Sequence, residues 1–210
     1  MNGKITPSAG PRSAGTDEHW VRLVVQGNPS CFEAIVSRYT GPLMHFIYSR
    51  VRSQQDAEDL CQETFLRAFR ALHTFDDRSS FKTWLYSIAF HETVSFLRKK
   101  KLPTCSFFPE MTAQIETDFD SEYKDQIWRA ARQLTEDQYT VLWLKYKENL
   151  SILQIAQVTQ KSRINIRVLL HRAHRKLARL LDFDALENSR RAFGGRSAPI
   201  LSMQGDSNVL

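Results

Sequence analysis

The chain has 210 residues, 42% of them hydrophobic and 25% charged, with a formal net charge of +6, the make-up of a soluble globular protein of one or two small domains. No apolar run reaches the about 18–20 residues of a membrane helix, and the opening "MNGKITPSAGPRSAG" has no signal-peptide core, so residence in the cytoplasm without membrane insertion is expected. Three scattered cysteines fit a reducing compartment better than a disulfide framework.

Residues 1–15 are rich in Gly, Pro and Ser and are expected to be disordered. Helical periodicity then takes over. "SCFEAIVSRY" opens with Ser30 and has Glu33 three residues on, which predicts a capping box. Gly41-Pro42 is expected to break or kink that helix before "LMHFIYSRV". Helices are predicted over 56–72 and 81–100, completing a first domain of residues 16–101. From 102 to 124 the pattern dissolves around Pro103 and Pro109, and Glu110 to Asp125 carries six acids against one lysine. A flexible acidic linker is expected there. A second helical block, residues 125–182, reads as helices near 127–133, 136–147, 152–159 and 162–181. Thr135 with Gln138 and Ser151 with Gln154 predict two further capping boxes. Residues 183–210 read as a flexible tail. Period-two alternation is absent from the sequence, so the expected fold is all-α: two small helical domains on a flexible acidic tether. Cys31 and Cys61 fall on helical stripes as core thiols, and Cys105 falls in the linker with its reactivity open. No Cys or His spacing matches a zinc site, and no cofactor is expected.

Three surfaces carry chemistry. Projected at 100° per residue, Ile166, Leu169, Leu170, Ala173, Leu177 and Leu180 form one dry stripe of the last helix. Opposite lie Arg167, Val168, His171, Arg172, Arg175 and Arg179, and Lys161 to Arg179 holds seven Lys/Arg and no acid. A face of one sign repels itself and forms no i,i+4 ion pairs, so a polyanion is its natural partner. The short helix "SILQIAQVT" and a tight turn precede it, the plan of a helix-turn-helix whose second helix enters the major groove. The helix "DAEDLCQETFLRAFRAL" is different. Its core face is Ala57, Leu60, Cys61, Thr64, Ala68, Ala71 and Leu72, while Leu66 and Phe69 sit among Glu58, Asp59, Gln62 and Glu63 on the other side. That mixture suggests a protein partner. A metal cage of Asp56, Glu58, Asp59 and Glu63 is disfavoured because Glu58 points away from Asp56 and Glu63. In "FKTWLYSIAFHETVSFLRKKK", Trp84, Ser87, His91, Ser95 and Arg98 form one line running into Lys99 and Lys100. Aromatic and basic groups so aligned suit unpaired bases and a phosphate backbone; the competing reading is a core tryptophan and a solvated helix end.

"DAEDLCQETFLRAFRALHTF", "SSFKTWLYSIAF" and "LTEDQYTVLWLKYKENLSILQIAQVTQ…LLHRAHRKL" resemble the bacterial extracytoplasmic-function sigma factors over about residues 17–181. The resemblance implies an alternative sigma factor rather than an enzyme. It implies docking of Asp59, Gln62, Glu63 and Leu66 on the β′ clamp helices of core RNA polymerase, with the β flap as a further contact. Phe81, Trp84, His91, Ser95, Arg98, Lys99 and Lys100 would meet the melted minus-ten element. Arg167, His171 and Arg172 would read the minus-35 duplex, with Arg163, Arg175 and Lys176 toward phosphates. Promoter DNA and an anti-sigma factor are the other implied partners. The chain departs from the family pattern in three places. His91 and Ser95 stand for the base-capturing Asn and the Asp four residues after it, Val168-Leu169 replaces Ser-Arg, and Gln160 replaces the turn Gly. A left-handed non-Gly residue costs about 1–2 kcal/mol, which predicts a turn built differently. A free-standing helix-turn-helix regulator and a metal-dependent nuclease are the alternative readings. Dependence of promoter binding on core polymerase separates the first, and magnesium-stimulated cleavage would mark the second.

Overall fold

The computed structural model describes residues 16–76, 78–100 and 119–192, with side chains over 125–181 in the last stretch. Among the described residues there are eight α-helices, two 3-10 turns and no strand. The helices are α1 (Asp17–Val25), α2 (Phe32–Val51), α3 (Gln54–Ala71), α4 (Phe81–Lys100), α5 (Phe119–Ala131), α6 (Glu136–Tyr146), α7 (Ile152–Thr159) and α8 (Arg163–Ala192). No described helix is long and apolar enough to cross a membrane.

Local chemistry sets most of the boundaries. Ser53 starts α3 by accepting a hydrogen bond from the Asp56 amide at 3.3 Å. Both predicted capping boxes of the second block form: Thr135 with Gln138 at the start of α6, and Ser151 with Gln154 at the start of α7. The box expected at Ser30 does not. Pro29 opens a 3-10 turn, Pro29–Cys31, that absorbs Ser30, and α2 begins at Phe32 without a side-chain cap. Nor do Gly41 and Pro42 break α2, which runs on to Val51. Ile35 and Tyr39 before the proline and Leu43, Phe46 and Ile47 after it are all buried. Their burial outweighs the one backbone hydrogen bond that proline forfeits.

The ends of the second block also differ from expectation. Residues 101–118 lie outside the described residues, as do 1–15, 193–210 and Cys105. Residues 119–124, assigned to the linker from sequence, are the first two turns of α5. Residues 183–192, assigned to the tail, continue α8.

The two helical blocks do not stand apart. One apolar cluster runs from Ile35, Phe46, Leu85 and Tyr86 of the first block to Val141, Leu144, Ile155, Val158 and Ile166 of the second. Helix α7 packs along α4. A smaller cluster of Ala130, Ala131, Leu134, Tyr139, Leu142, Ala173 and Leu177 holds α5, α6 and α8 together.

Polar groups cross the same junction. Arg50 is fully buried and holds its Nε 3.0 Å from a Glu136 carboxylate oxygen. Its guanidinium also donates to Thr140 Oγ1 and stacks 4.1 Å over the Phe46 ring. Burial pushes the Arg50 pKa below the usual arginine value, and Glu136 pulls the other way. Lys82 reaches across to Glu148, donating to its carbonyl at 2.8 Å and pairing with its carboxylate at 3.1 Å. Gln154 Nε2 donates to Ser80 Oγ at 3.3 Å.

Candidate nucleic-acid and polymerase interfaces

Helix α3 turns Ala57, Leu60, Cys61, Thr64, Phe65 and Ala68 inward. Burial pushes the Cys61 thiol up to about 11, so it is an inert core group. The other side presents Asp59 and Gln62 to water, with Leu66 50% and Phe69 44% exposed beside them. Phe69 leans edge-on against Phe32, ring centroids 5.1 Å apart. The carboxylates here are tied locally. Glu58 accepts from Gln54 at 2.6 Å and Asp59 from Gln55 at 3.3 Å. Glu63 accepts from Arg67 at 2.7 Å, and Arg67 also pairs with Glu92 of α4. Asp56 pairs with Lys100 at 2.6 Å, and that hydrogen bond holds its carboxyl below the usual range. Each acid thus has its own neighbour, and they do not converge on a common point.

Ser80 caps α4 by accepting from the Thr83 amide at 3.3 Å. Trp84, Ser87, His91 and Ser95 are half-buried along one side, and Arg98, Lys99 and Lys100 are exposed at the end. The strip expected from sequence is therefore continuous, but it has two surprises. Phe81 is not on it: the ring is fully buried, 5.7 Å from both Phe75 and Trp84 and 6.0 Å from Tyr39. It packs against the Phe75–Trp84 pair from inside the core. The second surprise is His91, whose Nε2 is buried with no hydrogen-bond partner.

In the helix-turn-helix, α7 ends at Gln160, which adopts the left-handed conformation at φ 54° and ψ 32°. The turn is thus built in the glycine manner by a residue that is not glycine, and the expectation of a different turn is corrected. Ser162 caps α8, accepting from the Asn165 amide at 3.2 Å. Ile166, Leu170, Ala173 and Leu177 are buried, and Arg163, Arg167, His171, Arg172, Arg175, Lys176 and Arg179 are exposed. Lys176 donates to the Gln133 carbonyl, which anchors one cation of the row to the body of the domain.

The model for sigma-70 region 2 matches residues 35–102, and that for sigma-70 region 4 matches residues 124–177, together over half of the chain. The chain belongs to the sigma-70 family. Its relatives place it in the extracytoplasmic-function group. It is 28% identical over 177 residues to the ECF RNA polymerase sigma factor SigW of Bacillus subtilis, covering 77% of this chain and 94% of that one. The RNA polymerase sigma-H factor of Pseudomonas aeruginosa is 29% identical over 180 residues, covering 79% and 93%. Among solved structures, CnrH in complex with the cytosolic domain of CnrY matches at TM-score 0.60 and 22% identity, over 80% of this chain and 98% of that one. The sigma factor RpoE of Bartonella quintana, in complex with the anti-sigma factor NepR, matches at TM-score 0.58 and 22% identity, over 73% and 98%. At that identity these two establish the all-helical fold. The sigma factor is an alternative, extracytoplasmic-function one that associates with core RNA polymerase and directs it to promoters.

Sequence reasoning missed the junction residues Arg50, Lys82, Glu136 and Glu148. One of them was readable: Arg50 interrupts the apolar run Phe46, Ile47, Val51 on the inner side of α2, where an unpaired cation is not tolerated.

Proposed function

We propose that the sigma factor divides its work among three faces. Helix α3 docks on the polymerase β′ clamp helices through Asp59, Gln62, Glu63, Leu66 and Phe69. The side of α4 lined by Trp84, His91, Ser95 and Arg98 to Lys100 receives the melted minus-ten strand, with Trp84 as stacking platform and the cations on phosphates. The exposed row of α8 reads the minus-35 duplex, Arg167, His171 and Arg172 toward base edges and Arg163, Arg175 and Lys176 toward phosphates. The first domain then runs from α1 to α4 and the second from α5 to α8, the second contacting the β flap. The protein works in the cytoplasm as a binding subunit without catalysis of its own. An anti-sigma factor holds it by covering the α3 and DNA-facing surfaces; the two solved relatives named above are each bound to such a regulator or to a cytosolic partner domain.

One observation supports this division above the rest. The same chain exposes an acidic, partly apolar helix and a helix with six Lys/Arg and no acid from Arg163 to Arg179. A lone DNA-binding regulator has no need of the first. Run-off transcription with core polymerase and a promoter library tests the whole reading. Enrichment of a two-part promoter that depends on both polymerase and sigma factor is expected, and an unselected pool after repeated rounds would refute it.

A further inference from the structure

We infer that Ile164 and Val168 read thymine C5-methyl groups at the centre of the DNA-facing side of α8, a specificity that rests on the minus-35 role proposed for that helix. Ile164 is 72% exposed and Val168 40%, both on the second DNA-binding element of the fold. Neither joins either apolar cluster of the protein. With 3.6 residues per turn, Arg167 lies about 40° around the helix from Arg163, Ile164 about 100°, Val168 about 140° and Arg172 about 180°. The two apolar side chains thus occupy the middle of a face bordered on both sides by arginine. His171 and Arg175 continue it over the next two turns.

Position along the helix points the same way. Ser162 is the cap and α8 begins at Arg163, so Ile164 is the second helical residue and Val168 follows one turn later. The first turns of a recognition helix are the part that reaches base edges. Ile164 and Val168 have no donor or acceptor with which to read the nitrogen and oxygen atoms there. The apolar feature of the major-groove edge is the methyl group of thymine. The surrounding charge selects nucleic acid over an apolar protein surface as the occupant, because α8 from Arg163 to Arg179 holds six Lys/Arg and no acid.

Deoxyuridine tests this directly, since it keeps the hydrogen-bonding edge of thymine and removes only the methyl. Holoenzyme is assembled with full-length sigma factor and core polymerase, and its selected promoter is substituted one minus-35 thymine at a time. Binding by the wild-type holoenzyme should weaken about fourfold for each methyl that is read. The double variant Ile164→Ala/Val168→Ala should bind the thymine promoter more weakly and show no further loss on the deoxyuridine one. Circular dichroism should give both proteins the same helix content, because the altered side chains are exposed. Equal binding of thymine and deoxyuridine promoters by the wild type overturns the inference. So does an equal deoxyuridine penalty in the double variant, or a selected minus-35 element without thymine. If the holoenzyme selects no promoter at all, the minus-35 role itself fails, and the methyl reader fails with it.

Discussion

Arg50 has its guanidinium sealed between Phe46, Glu136 and Thr140, with no exposed side-chain surface. Such a group is stabilising only relative to the same cation without its partner. Glu136 remains about a third exposed, so the two members of the pair are not equivalent under mutation. Removing the carboxylate strands a buried charge, and Glu136→Ala is expected to cost about 3–5 kcal/mol. Arg50→Met removes the charge, fills much of the same volume and leaves a carboxylate that can reach water, so its cost should be far smaller. Urea unfolding of the two variants checks the asymmetry, and equal losses would contradict it. The stranded arginine can also escape by leaving its pocket. Solution scattering should therefore show a larger radius of gyration for Glu136→Ala than for Arg50→Met. Single residues were unevenly legible in the sequence. The exposed Leu66 and Phe69 were, because the acids around them fix the outward side of the helix. Phe81 was not, because it belongs to the same apolar surround as its neighbours and only the packing against Tyr39, Phe75 and Trp84 decides its direction.

Helices were read best where a side chain caps them and worst where tertiary burial competes with local chemistry. Thr135 and Ser151 satisfy free amides within their own first turns, so α6 and α7 start where the sequence places them. Across Pro42 the local rule predicts an interruption, yet the buried residues on either side keep α2 continuous. The turn between α7 and α8 shows the opposite balance. Gln160 accepts a left-handed backbone that an L side chain disfavours, so the surrounding helices dictate the turn. Gln160→Gly should raise stability by about 1 kcal/mol, visible as a higher melting temperature without a change in helix content. A drop in melting temperature would show that the glutamine side chain stabilises the turn. For α3, the outward acids predict a separation of folding from assembly. Asp59→Arg with Glu63→Arg should keep the circular dichroism spectrum while abolishing retention of core polymerase in a pull-down. The loss of the 2.7 Å Glu63–Arg67 pair should itself cost under about 1 kcal/mol, because both groups are solvated. Full retention of the enzyme would remove α3 as the docking surface.

On the scale of the whole molecule, the unanticipated feature is that the second block rests on the first. Composition distinguished two helical units and a region rich in acids between them, but linear pattern contains no information about whether two amphipathic units meet. That depends on Ile155, Val158 and Ile166 finding the surface made by α2 and α4. The charged latch and the apolar seam respond differently to temperature. When the halves part, Arg50, Glu136, Lys82 and Glu148 regain water, which offsets much of what their pairing contributed. The apolar seam gains no such compensation, and its strength fades on cooling because hydrophobic burial is entropy-driven near room temperature. Cold, more than salt, is therefore the agent that should loosen this protein at its waist.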